Sequence, residues 1–211
     1  RLTDVTGVQT CALPISEESR NPEETRHRVL ISRPFWIGRY EVTQAQWKAS
    51  EMKNPSKSVG STLPVDYVSW KDCREFCEKM KMDMPTEAQW EYACRAGTLA
   101  PFNLGKDVAE GTINWKGHSR GSMKGGTLPD ENAWGCFDMH GNVMEWCKDM
   151  HERYPEGPVT DPQGMNQDSR QVYRGGYFSA YPEHSRSAKR HSIGAGYQGR
   201  NLGFRIAIPW E

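Results

Sequence analysis

Apolar and polar residues change rhythm several times along this chain, and each change predicts an element. Residues 26–32 alternate around Val29 and Ile31, and residues 35–42 are aromatic and β-branched; both stretches read as strands. Thr43 then stands three residues before Gln46, the capping-box spacing in which a hydroxyl and an amide satisfy the open N–H groups of a helix start, with Trp47 on the buried face. Residues 54–63 read as loop and residues 64–68 as a short extended run. Ser69 ahead of Asp72 caps a helix predicted to reach about Met80, with Trp70, Cys73, Phe76, Cys77 and Met80 on one face at offsets of three and four. Thr86 and Gln89 repeat the capping box, Trp90, Ala93 and Cys94 form the apolar stripe, and Gly97 is a natural stop.

After that stop the rhythm disappears. Residues 98–131 are rich in Gly, with Ser, Lys, Asn and isolated aromatics and no apolar period, an irregular stretch too long for a compact domain unless something pins it. Residues 147–168 read as a turn-rich connection, and residues 172–176 and 202–207 as strands, the latter closing the fold. Cys73 and Cys77, one turn apart on one helix face, are poorly placed for a disulfide or a zinc site and are expected to be small buried core residues.

Between the irregular stretch and the C-terminal strands lies Phe137-Asp138-Met139-His140-Gly141-Asn142-Val143-Met144-Glu145-Trp146. Its Gly-Asn pair can turn the backbone through left-handed conformations and aim neighbouring carbonyls at one centre. Asp138 and Glu145 would add charged oxygens, and the carbonyls of Gly141 and Val143 would complete a shell suited to calcium and unsuited to zinc. The spacing alone is equally that of an ordinary turn whose carboxylates are solvated or paired with Arg.

Residues 132–146 resemble the central signature of the sulfatase-modifying factor family, whose best-known members are formylglycine-generating enzymes. Three more blocks agree in order: Phe35 to Thr43 (FWIGRYEVT), Pro85 to Ala93 (PTEAQWEYA), and Arg174-Gly175-Gly176 followed by Asn201-Leu202-Gly203-Phe204-Arg205. The resemblance implies an α+β, C-type-lectin-like fold of short strands, two or three helices and much irregular loop. It implies a structural calcium on Asp138, Gly141, Val143 and Glu145, and half of a second calcium site at Asn114 and the Trp115 carbonyl, whose acidic partner has no match here. It also locates the family's copper(I) cysteines: counted back without gaps from residues 201–205, they fall on Pro182 and Ser187, and no cysteine follows Cys147. Copper-dependent formylglycine formation is therefore not expected.

The six histidines show no HxxxH spacing of the kind used by the iron-dependent sulfoxide synthases of the same superfamily. His184 and His191 share the C-terminal segment, where an iron site remains conceivable without support; isolated surface histidines are the plainer reading. What that segment does offer is a tyrosine-rich surface, Tyr181, His184, His191 and Tyr197 set among Ser and Gly, of the kind that binds peptides or small molecules adaptably. Two functions follow from the resemblance: a calcium-stabilised, non-catalytic binding or accessory module, or an oxidoreductase acting on a cysteine or thiol.

Composition narrows this further. The 211 residues carry formal net charge +0, which gives no electrostatic reason to expect a nucleic-acid partner. No apolar run approaches the roughly 20 residues of a bilayer span, and a monomer is expected. The six cysteines contain no CxxC pair and leave the redox compartment open. Residues 5–15 match the in-frame translation of a widely used sequencing adapter, so residues 1–15 are read as a cloning or assembly scar and residues 16–211 as one domain. A signal or anchor may be missing with the native start, which leaves localisation undetermined.

Overall fold

The computed structural model describes residues 2–11, 20–164 and 170–210. Three helices form where the caps predict them. In α1 (Gln44–Ala49), α2 (Trp70–Met80) and α3 (Glu87–Arg95) the N-cap Thr43, Ser69 or Thr86 accepts from the N3 backbone, and the N3 side chain of Gln46, Asp72 or Gln89 returns the bond. Both partners of each bond lie within four residues, so the arrangement is local and legible. α2 buries Cys73, Phe76 and Cys77 as expected. α3 ends at Ala96 in a left-handed conformation, one residue before the predicted glycine stop.

Two sheets carry the rest. One is ordered β1 (Leu2–Cys11), β2 (His27–Gly38), β4 (Val159–Thr160), with β8 (Ala207–Pro209) also on β2. The other is ordered β6 (His191–Gly194), β5 (Arg170–Arg174), β3 (Met144–Met150), β7 (Leu202–Gly203). The two N-terminal strands expected from the alternation are one strand. His27, Val29, Ile31, Phe35 and Ile37 all face inward, and Pro34 is tolerated because the pairing with β1 shifts register between Val5 and Gly7, opposite it. The expected closing strand is instead broken into β7 and β8. The run at 64–68 makes only an isolated bridge, Thr43 to Pro64. The start of the supposed turn-rich connection belongs to β3, because Trp146 and Cys147 are wholly buried there.

Leu2–Cys11, read from sequence as foreign to the fold, runs antiparallel to β2 from Leu2 opposite Gly38 to Cys11 opposite His27. The remainder of that leader, residues 12–15, lies outside the described residues. Two apolar clusters flank the second sheet. One joins β2, α3 and Met139; the other joins Trp47, Phe76, Trp146 and Phe204, with Trp47 stacked on Phe76 at 5.3 Å.

Candidate functional site

The turn expected at the centre of the chain is present. Asp138 and Asn142 both adopt left-handed backbone, at φ 60° and 62°. Gly141 is required, because a Cβ there would collide with the Asn114 carbonyl. Asn142 ties the turn to its surroundings. Its N–H donates to the Asn114 carbonyl at 2.9 Å, its Nδ2 to Glu41 Oε1 at 2.9 Å, and its Oδ1 accepts from the Met123 N–H at 2.7 Å.

Four buried carboxylates gather around this turn: Glu41, Asp130, Asp138 and Glu145. Arg205 grips Glu145 with two bonds of 2.6 Å, and Trp90 Nε1 donates to the same carboxylate at 2.6 Å. Asp138 accepts the Gly126 N–H at 2.9 Å, and Asp130 accepts the Asp138 N–H at 2.9 Å. Among the described residues, Glu41 Oε2 and Asp130 Oδ1 are buried with no hydrogen-bond partner. Burial, aided by the Asp138 and Glu145 charges, holds the Glu41 carboxyl well above the usual carboxylate range. Burial and Asp138 push Asp130 up to about 8, and burial with Glu145 pushes Asp138 up to about 6. Four acids against one guanidinium leave an excess of negative charge that protons or a cation must neutralise.

Protons on Glu41 and Asp130, or a hard cation, would meet that excess. Among the described residues no group of three or more His, Cys, Asp or Glu converges on one point. A calcium shell must therefore draw on the Gly141 and Val143 carbonyls as well as on Asp138 and Glu145, as the resemblance implied, and Glu145 is already the counterion of Arg205. Asn114 has its own partners. Its Nδ2 donates to Gly121 O and Asn142 Oδ1, its Oδ1 accepts from Ser119 Oγ at 2.6 Å, and the neighbouring Trp115 stands edge-on to Phe102. This network pins the long irregular stretch at the point where the resemblance implies half of a second calcium site.

The C-terminal segment is held from below at nearly every residue between 185 and 190. His140 Nδ1 donates to the Ser185 carbonyl at 2.8 Å. Arg186 grips the buried Glu24 at 3.0 and 3.1 Å. Arg174 Nη2 donates to the Ser187 carbonyl at 2.6 Å, and Arg190 meets Glu87 at 2.6 and 3.0 Å. Arg174 also bonds Glu87 at 2.8 Å and Glu91 at 2.6 Å. Burial opposes ionisation of both glutamates, but Arg190 and Arg174 hold Glu87 below the usual range, and Arg95 and Arg174 do the same for Glu91.

Pro182 opens a single 3-10 turn, Pro182–His184. Ser187 is completely buried, donates to the Pro101 carbonyl at 3.1 Å and lies against the Cys94 sulfur. Burial pushes the Cys94 thiol up to about 12, and its sulfur lies 3.5 Å from His140 Nε2. That nitrogen accepts the Asn103 N–H at 3.0 Å, so His140 is a neutral imidazole with both nitrogens engaged; burial pushes its pKa down to about 4. The sequence held no signal for this hub, because its partners come from α3 and two loops.

Of the expected ligand-binding residues, His184 and His191 meet with ring centroids 6.1 Å apart, and His191 stacks on Tyr173 at 5.2 Å and 13°. They are a pair, where the sequence favoured isolated surface histidines. The Tyr197 N–H donates to the Gly194 carbonyl at 2.9 Å, at the far end of the strand that His191 opens. Tyr181 sits beside the turn, its ring under the Lys116 ammonium at 3.7 Å and its hydroxyl bonded to the same nitrogen. Tyr181 and Tyr197 are 52% and 48% exposed.

The sequence model of the family described as sulfatase-modifying factor enzyme 1-like domain matches residues 7–209. The chain is 32% identical over 193 residues to the formylglycine-generating enzyme of Streptomyces coelicolor, covering 82% of this chain and 60% of that one. It is 28% identical over 152 residues to the inactive C-alpha-formylglycine-generating enzyme 2 of Bos taurus, covering 65% of this chain and 48% of that one. It thus spans about half to three fifths of these relatives' length. The structure superposes on PvdO from Pseudomonas aeruginosa with a TM-score of 0.86 at 28% identity, covering 99% of this chain and 94% of that one. The α+β fold is of the C-type-lectin-like kind.

Proposed function

The chain belongs to the sulfatase-modifying factor enzyme 1-like family, and from that premise we propose that it is a calcium-stabilised binding or accessory module without copper-dependent formylglycine-generating activity. The observation that carries this reading is the absence of any cysteine after Cys147, with Pro182 and Ser187 at the positions counted for the copper thiols. Copper(I) selects soft thiolates. The one thiol against Ser187 is Cys94, which burial keeps protonated and which His140 and Ser187 enclose. The residues present do not fit the copper pair. A relative whose name calls it inactive supports the view that membership and activity separate in this family.

Calcium would be held by the carboxylates of Asp138 and Glu145 and the carbonyls of Gly141 and Val143. It would supply the charge balance that Arg205 alone does not. A peptide or small molecule would bind across Tyr181, His184, His191 and Tyr197. The test is to incubate the chain with a Cys-x-Pro-x-Arg peptide, copper(I) and oxygen, and to read the peptide by mass. The cysteine should survive. Formylglycine product above a no-protein control would overturn the reading.

A further inference from the structure

The C-terminal surface has a feature that the binding reading does not use. We propose that His184 and His191 form a two-imidazole site for a divalent transition metal of the zinc or copper(II) kind, with the remaining coordination positions open to water or to donors on a bound ligand. The spacing fits. With metal–nitrogen distances of roughly 2.0–2.1 Å, each ring centroid lies roughly 3.2 Å from the metal, so two such centroids stand roughly 5–6.5 Å apart. The observed separation is 6.1 Å, with the ring planes inclined at 44°.

The pair is also held in place. Residues 185–190, which join the two histidines, are anchored by His140, Glu24, Arg174 and Glu87. Tyr173 covers one face of His191. The nearby cations are matched: Lys189 lies 3.6 Å from Glu24, and Arg174 is paired with Glu87 and Glu91. His184 is exposed and His191 half-buried, so a metal can reach the pair from solvent.

Imidazole selects zinc, copper(II) or nickel over calcium, which takes oxygen. Among the described residues no third His, Cys, Asp or Glu completes the shell, so this is an open site and not a closed structural one. Neither histidine coincides with Pro182 or Ser187, the positions counted for the copper thiols.

The experiment is calorimetric titration of zinc alone into the full chain, with calcium in excess so that oxygen sites are filled. One equivalent should bind saturably. His184→Ala should weaken binding about tenfold or more without changing the melting temperature of the metal-free chain, because that side chain is exposed. His191→Ala should weaken it similarly, and His118→Ala, on an exposed histidine of the irregular stretch, should not. Absence of saturable binding, or full affinity in His184→Ala, would overturn the proposal. No organic ligand is present, so these outcomes are independent of whether the tyrosine surface captures a peptide.

Discussion

Arg174 joins α3 to the C-terminal segment, and its removal has a calculable cost. The side chain is wholly buried and bonds Glu87, Glu91 and the carbonyls of Ser187 and Ala188. Arg174→Met keeps the hydrocarbon packing on Trp90, whose ring lies 5.5 Å from the guanidinium carbon, and deletes only the charge and its bonds. Removing one partner of a buried ion pair typically costs about 3–5 kcal/mol, because the other charge is left without compensation. Two effects pull that figure down: Glu87 keeps Arg190 and Tyr154, and Glu91 keeps Arg95. One pushes it up, since the Ser187 carbonyl loses a bond, and a buried group left unsatisfied costs about 1–3 kcal/mol. The expected loss is therefore about 3–5 kcal/mol, seen as a lower urea midpoint by tryptophan fluorescence at pH 7.

The pH dependence gives a second check. Their arginine partners hold the folded Glu87 and Glu91 carboxyls below the ordinary glutamate value of about 4.3. The stability they contribute is complete above that value and is lost as pH falls through their folded values. The penalty of Arg174→Met should thus be largest at neutral pH and shrink on acidification below about 4.3. A loss under about 1 kcal/mol, or a penalty that does not change between pH 7 and pH 3, would refute the assignment of this network as the anchor of the segment.

Calcium should raise the melting temperature. At a hundredfold excess over Kd the linkage is about 2.7 kcal/mol, or roughly 5–10 °C for a chain of this size. Asp138→Asn should remove the difference between calcium and chelator; it is a better variant than Glu145→Gln, which would also strip Arg205 of its counterion. Identical melts with calcium and chelator in the unaltered chain would eliminate the site. If residues 1–15 are foreign, deleting them should change stability by less than about 1 kcal/mol, the size of an ordinary damaging substitution. A larger loss would mean that β1 has become an integral edge of the first sheet.

Local chemistry made part of this protein legible. Thr43 with Gln46, Ser69 with Asp72 and Thr86 with Gln89 mark the three helix starts, because each capping bond closes within four residues. The period-two burial from His27 to Ile37 marks a strand for the same reason, although one-dimensional reading cut it at Pro34, which a register shift across the sheet accommodates. The turn at Asp138 to Asn142 was visible in its Gly-Asn pair, and the lack of cysteine beyond Cys147 by inspection. Long-range pairing was not. Glu87 meets Arg174 and Arg190, 87 and 103 residues on, and Glu145 meets Arg205, 60 residues on. Nothing in the spacing of such residues marks them as partners. His140 reads as one more polar residue until α3 brings Cys94 to its ring and the irregular stretch brings Asn103. The sequence by itself determined the helices and the central turn, since each depends on neighbours in the chain, and the lack of any cysteine after Cys147, which is composition. Only the tertiary structure decided which carboxylates share one guanidinium and which two imidazoles face each other, because those contacts form when the sheets and α3 pack and exclude water.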